Sequence, residues 1–146
     1  MFRTPSTGKL EDVDLFAGCS RSQLRRLGSL MTSVRVRPGT PLIREGGGGT
    51  EFLVITDGQA RVTREVDDAP VTVADLGPGA FVGEMALLYG TPRSATVTSV
   101  SEVTLLVSSP TEFRELVRVA PAVARRIAEA AEHRAAVNQA TGSIAA

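Results

Sequence analysis

The chain has 146 residues, 42% of them hydrophobic and 22% charged, the balance of one soluble globular domain rather than of a disordered tail or a membrane protein. Sixteen basic residues cancel sixteen acidic ones, so no overall field draws the chain to nucleic acid or to an anionic membrane, and any anion it binds has to be caught locally. A chain of this size can bury roughly 68% of its unfolded surface, enough for a core without structural metal, and the single cysteine, Cys19, excludes an intramolecular disulfide.

Met1 to Lys9 lack an apolar stretch of signal-peptide length, and no run of about eighteen apolar residues follows, so the expectation is a cytoplasmic protein with no membrane segment. Leu10, Val13, Leu15 and Phe16, then Leu24, Leu27, Leu30 and Met31, recur at helical spacing, with Ser20 placed to cap the second run. Residues 1–31 therefore read as a helical lead-in. From Thr32 the period becomes two. Val34 and Val36 alternate with Ser33, Arg35 and Arg37, and short runs follow at Glu51 to Thr56, Ala60 to Arg64, Val71 to Leu76, Ala95 to Val100 and Val103 to Val107. Turn residues punctuate them at Pro38-Gly39, Gly46 to Gly49, Asp57-Gly58, Asp67-Asp68 and Gly77-Pro78-Gly79. Many short strands with regular breaks predict a β-sandwich or roll over 32–109.

One stretch inside it does not alternate. Gly83 to Leu88 holds good helix formers and no β-branched residue, which predicts a single helical turn between strands. After Ser109-Pro110 the helical period returns with Phe113, Leu116 and Val117. A break near Pro121 precedes Val123, Ile127, Ala130, Ala131 and Arg134. Two C-terminal helices over 110–140 are predicted, followed by a small polar tail, 141–146, expected to be disordered.

The chemistry concentrates between Gly77 and Val97. A helical turn opening at Gly83 and Glu84 aims unpaired backbone N–H groups at whatever precedes it, and glycine admits a ligand close to the backbone. Arg93 follows a proline turn that can bring its guanidinium over the same space, where a planar fork meets phosphate oxygens. Glu84 has the wrong sign for phosphate but can accept from a hydroxyl such as a ribose 2′-OH. A ligand with one phosphate charge beside a free sugar hydroxyl suits both.

This stretch resembles the phosphate-binding cassette of cyclic nucleotide-binding domains, the family of catabolite activator protein and of the regulatory subunit of cyclic-AMP-dependent protein kinase. Gly83, Glu84, Ala86, Leu87, Pro92, Arg93, Ser94 and Ala95 fall on its pattern, with Val82 where the family often has Phe. Leu15-Phe16, Pro38-Gly39, Glu45-Gly46 and Phe52 to Gly58 match its lead-in and early strands. The resemblance implies a mainly β fold with flanking helices: an eight-stranded antiparallel β-roll or jelly roll with short N-terminal helices, a phosphate-binding cassette over residues 81–96 that contains a one-turn helix, and two C-terminal helices. It implies ligand contacts at Gly83, Glu84, Met85, Ala86, Leu87, Arg93, Ser94 and Ala95, with Glu84 on the ribose 2′-OH and Arg93 on the cyclic phosphate. Serine after the arginine goes with cAMP in the family and threonine with cGMP, so Ser94 leans toward cAMP while leaving cGMP open. Arg125 or Arg126 would meet the base if the last helix folds over the pocket.

Other features have plainer readings. Gly46 to Gly49 lacks a following Gly-Lys-Ser or Gly-Lys-Thr, so it reads as a soft turn that leaves the cassette untouched. Met85, Leu87 and Leu88 read as the core side of the cassette turn, and His133, the only histidine, as a surface residue. One histidine argues against a cupin-type metal site, and no catalytic constellation is present, so no enzyme activity is expected. Arg114, Arg118, Arg125, Arg126 and Arg134 interleave with Glu112, Glu115, Glu129 and Glu132, as on a salt-bridged solvent face. The expected function is a cyclic nucleotide sensor, cAMP its ligand, that signals through movement of the C-terminal helices to a downstream effector or a second copy. The alternatives are a ligand-independent interaction domain, or the sensor fragment of a larger transcription factor, transporter or enzyme. No recognition helix follows the last helix, so this chain is not expected to bind nucleic acid.

Overall fold

The computed structural model describes residues 10–140, with no side-chain description at 139 and 140; the readings of Met1 to Lys9 and of the 141–146 tail lie outside the described residues. A 3-10 turn (Asp14–Phe16) and α1 (Arg21–Ser29) lead into β1 (Thr32–Val36), β2 (Pro41–Ile43), β3 (Phe52–Asp57), β4 (Ala60–Val66), β5 (Ala69–Leu76) and β6 (Phe81–Val82). Then come α2 (Glu84–Tyr89), β7 (Thr96–Ser99), β8 (Val103–Ser108), α3 (Pro110–Val119) and α4 (Pro121–Ala140). The strands form two four-stranded sheets, ordered β1-β8-β3-β6 and β2-β7-β4-β5, and every pairing is antiparallel. This is the eight-stranded roll with flanking helices that the resemblance implied. Six strands stand where alternation predicts them. β2 and β6, three and two residues long, are too short to display a period.

Burial follows the pleat. In β3 the side chains of Leu53 and Ile55 enter the core between the sheets with Ile43, Ala60, Val82, Val97, Val103 and Leu105. Phe52 and Val54, on the other face, pack against the helices with Leu15, Phe16, Leu24, Leu27, Phe113, Leu116, Val123 and Ile127. The first sheet is thus covered on both sides, which is why β3 reads as an unbroken apolar run. The Phe52 ring lies 5.0 Å from that of Phe113 and 5.8 Å from that of Phe81, tying strand, helix and cassette together; burying one such ring contributes about 2–3 kcal/mol. β5, by contrast, is exposed along nearly all its length. Its hairpin with β4 closes through Asp67 and Asp68, at φ +53° and +65°, the two-residue turn whose twist matches antiparallel strands.

Local chemistry sets the helix ends. Ser20 and Gln23 form a reciprocal capping box on α1, and Ser109 and Glu112 form another on α3, with Pro110 in its first turn. Only Ala120, buried and extended at φ −131°, ψ +91°, separates α3 from α4. No helix of the described residues is long and apolar enough to cross a membrane.

Candidate functional site

The site is assembled where β6 runs into α2. Gly83 joins them at φ +98°, and a Cβ there would lie 2.4 Å from the carbonyl of Glu51 and 2.9 Å from Arg93 Nη1. Only glycine makes this junction without strain. Gly90, at φ +66°, ends the helix with its N–H on Ala86 O, and the chain returns through Pro92 to Arg93.

Arg93 is 6% exposed. Its Nη1 donates to Gly83 O at 3.2 Å and its Nη2 to Glu51 O at 2.9 Å. Its own N–H donates to Gly47 O at 3.3 Å, and its carbonyl accepts from Gly46 N–H at 2.8 Å. The glycine run therefore touches the cassette after all: free of side chains, its backbone lies against the arginine main chain and helps fix it. Burial pulls the Arg93 guanidinium below the ordinary arginine value, with Glu51 and Glu84 opposing the pull; it remains a cation.

Glu84, the first residue of α2, is 1% exposed. Arg134 of α4 donates Nη1 to both its carboxylate oxygens at 2.7 Å and Nη2 to Phe81 O at 2.8 Å. The same guanidinium lies 5.3 Å from the Phe81 ring centre, a cation–π contact. Helix α4 is thus fastened to the cassette by an ion pair whose carboxylate is buried, and Arg134 is not the solvent-face cation that its alternation with glutamates predicts.

A cavity of about 340 Å³ adjoins these groups, within the range of small-molecule sites. Of the predicted residues, Gly83, Glu84, Met85, Ala86, Arg93, Ser94 and Ala95 line it. Leu87 does not; it packs against the helical core. Leu88, expected in the core, is 42% exposed, because a six-residue helix offers only one inward stripe. His133 is exposed, as expected, yet also lines the cavity. Arg125 and Arg126 do not reach it. Arg125 is exposed, and Arg126 Nη1 donates to Leu15 O at 2.9 Å and Ala17 O at 2.8 Å. They precede Arg134 by more than two turns, roughly 12 Å along the axis, which places Arg126 beside the lead-in.

Residues from distant segments complete the wall. Ile43, Val62, Val73 and Val97 supply apolar surface, and His133, Arg134, Val137 and Asn138 come from α4. Arg64 of β4 donates Nε to Ser94 O at 3.1 Å and Nη2 to Asn138 Oδ1. Sequence reasoning missed Arg64 and Asn138 altogether. Arg134 carried one signal: it continues the inner stripe of Val123, Ile127 and Ala131, where an arginine needs a partner. The arrangement can hold an anion beside Arg93 and the N–H groups after Gly83, and a hydroxyl beside Glu84. Among the described residues no group of three or more His, Cys, Asp or Glu is placed to hold a metal ion.

The family profile described as cyclic nucleotide-binding domain matches residues 33–119. The chain is 32% identical over 78% of its length to the cAMP-dependent protein kinase regulatory subunit of Yarrowia lipolytica, covering 30% of that protein. The crystal structure of Thermus thermophilus catabolite activator protein superposes with a TM-score of 0.78 at 27% identity, over 87% of this chain and 60% of that one. A cAMP-binding acyltransferase from Mycobacterium smegmatis, solved as a point mutant, gives a TM-score of 0.72 at 30% identity, over 90% and 41%. Against the curated relatives it matches, the chain spans about 25–30% of their length. With the roll, the cassette and the family match in agreement, the chain belongs to the cyclic nucleotide-binding domain family.

Proposed function

We propose that the chain is a sensor whose ligand is cAMP, with cGMP as a second candidate, and that it signals through displacement of α4. The observation that carries this reading is the delivery of two buried, opposite charges, Glu84 and Arg93, to one cavity of about 340 Å³. Burying a charge is costly unless it is paired, and a cyclic nucleotide brings Arg93 an anion, its phosphate, and brings Glu84, already held by Arg134, a further donor in the ribose 2′-OH. Gly83 and Ala86 lie at the start of α2, whose N–H groups would share the phosphate with those of Ser94 and Ala95.

The ribose would meet Glu84 on the carboxylate that Arg134 now holds. Binding would therefore be felt directly by α4, and the position of that helix would depend on whether the ligand or Arg134 occupies the carboxylate. A downstream effector, or a second copy of the chain, would read that position. We assign the chain no catalytic role; activity in any longer protein would belong to other segments. Support for cAMP comes from the similarity to the cAMP-binding acyltransferase and from Ser94 after the arginine.

The Arg134–Glu84 pair also favours a second reading, an interaction domain that does without ligand because its buried carboxylate is already satisfied. Calorimetric titration separates the two. cAMP is expected to bind the wild type, and Arg93→Ala to weaken binding by roughly 2–5 kcal/mol, about thirtyfold to several thousandfold. Heat from neither cAMP nor cGMP would favour the second reading, and unchanged affinity in Arg93→Ala would remove that arginine from the site.

A further inference from the structure

Three arginines line the cavity, and they differ in what neutralises them. Arg134 pairs with Glu84, and Arg93 is assigned above to the phosphate. Arg64 makes no ion pair with a carboxylate among the described residues. Its partners are neutral oxygens, the carbonyl of Ser94 and the side-chain oxygen of Asn138. These hold the guanidinium plane without cancelling its charge. Arg64 rises from β4 two residues after Val62, on the same face of the strand, and Val62 and Val73 line the cavity with it. With phosphate and ribose assigned to Arg93 and Glu84, the part of a nucleotide left to meet Arg64 and these valines is the base.

A guanidinium is a donor only. The N7 edge of guanine offers it two adjacent acceptors, N7 and O6, whereas adenine offers N7 beside a donating amino group. We infer that Arg64 reads this edge of the purine, so that a 6-oxo purine cyclic nucleotide binds this chain at least as tightly as cAMP. Ser94 is compatible with either base, since its hydroxyl both donates and accepts. The inference rests on the nucleotide-pocket reading above.

The test is titration of cGMP, cIMP and cAMP into the wild type, Arg64→Leu and Arg64→Lys. cIMP keeps the 6-oxo group but lacks the 2-amino group, so it isolates N7 and O6 from any bond between the amino group and Ser94. In the wild type, cGMP and cIMP are expected to bind no more weakly than cAMP. Arg64→Leu is expected to lose about tenfold or more on both 6-oxo ligands and less than about threefold on cAMP, with Arg64→Lys intermediate because it cannot pair in bidentate fashion. Wild-type cIMP binding about tenfold weaker than cAMP overturns the inference without recourse to any variant, which covers the case of a variant that fails to fold. Equal loss of all three ligands in Arg64→Leu also overturns it, as that would mark a contact to phosphate or a stacking contact. If none of the three binds the wild type, the pocket reading itself falls and takes the inference with it, a result distinct from a preference for cAMP.

Discussion

At Gly83 one hydrogen atom in place of a side chain decides whether the cassette closes. The position combines φ +98° with a 2.4 Å approach to the Glu51 carbonyl, so Gly83→Ala suffers both backbone strain and a clash with main chain. A loss of about 2 kcal/mol or more in unfolding free energy is expected in urea titration, together with weaker nucleotide binding, because Glu51 O and Gly83 O are the two acceptors that orient Arg93. The sequence already marked Gly83, Glu84 and Arg93, because they lie within one contiguous stretch and their residue types state their chemistry. It marked Gly83 for the ligand's approach, however, while in the fold the protein's own carbonyl and guanidinium also require the bare position. The partners Glu51 O, Arg64 and Asn138 left no such trace, and Arg134 only its place on the inner stripe of α4, since each arrives from a separate element and a contact across 30 to 74 positions has no local periodicity.

Helix α4 shows the same contrast at the scale of an element. Its start at Pro121 and its stripe of Val123, Ile127 and Ala131 were legible from spacing, whereas its attachment to the cassette was not. Arg134→Gln leaves a carboxylate that is 1% exposed without its cation. The arginine side chain is itself 35% exposed, so the cost is expected at about 1–2 kcal/mol, below that of a fully buried pair. Amide exchange of the last turns of α4 should quicken in this variant, and protection equal to wild type would show that the pair does not fasten the helix. The α1–α3 contact gives a pH-dependent counterpart. Hydrogen bonds from Arg118 and Arg26 hold the Glu115 carboxyl at about 2, below its ordinary 4.5. A lowered native value means stability present above 4.5 and lost as pH falls toward about 2. The urea midpoint should decline across that window, and Glu115→Gln should flatten part of the decline.

For the molecule as a whole, the alternation and turn residues of 32–109 were enough to predict a roll, while the division of its strands into two sheets required the long-range register. Ligand linkage is expected to be global. At a cAMP concentration one hundred times Kd, mass action adds about 2.7 kcal/mol, which for a domain of this size raises Tm by about 5–10 °C in calorimetry. The first sheet, enclosed by helices on one face and by strands on the other, is a fixed base for this response. From that base α4 departs at the single buried residue Ala120, and Arg134 lies fourteen positions further on, roughly 21 Å along the axis. Were the proposed displacement of α4 a swing about its root, about 10° of rotation would move position 134 by nearly 4 Å at that arm length. That exceeds the reach of a hydrogen bond, so a rotation of this size would part Arg134 from Glu84, and it would also shift Ile127 and Ala131 in their buried seats.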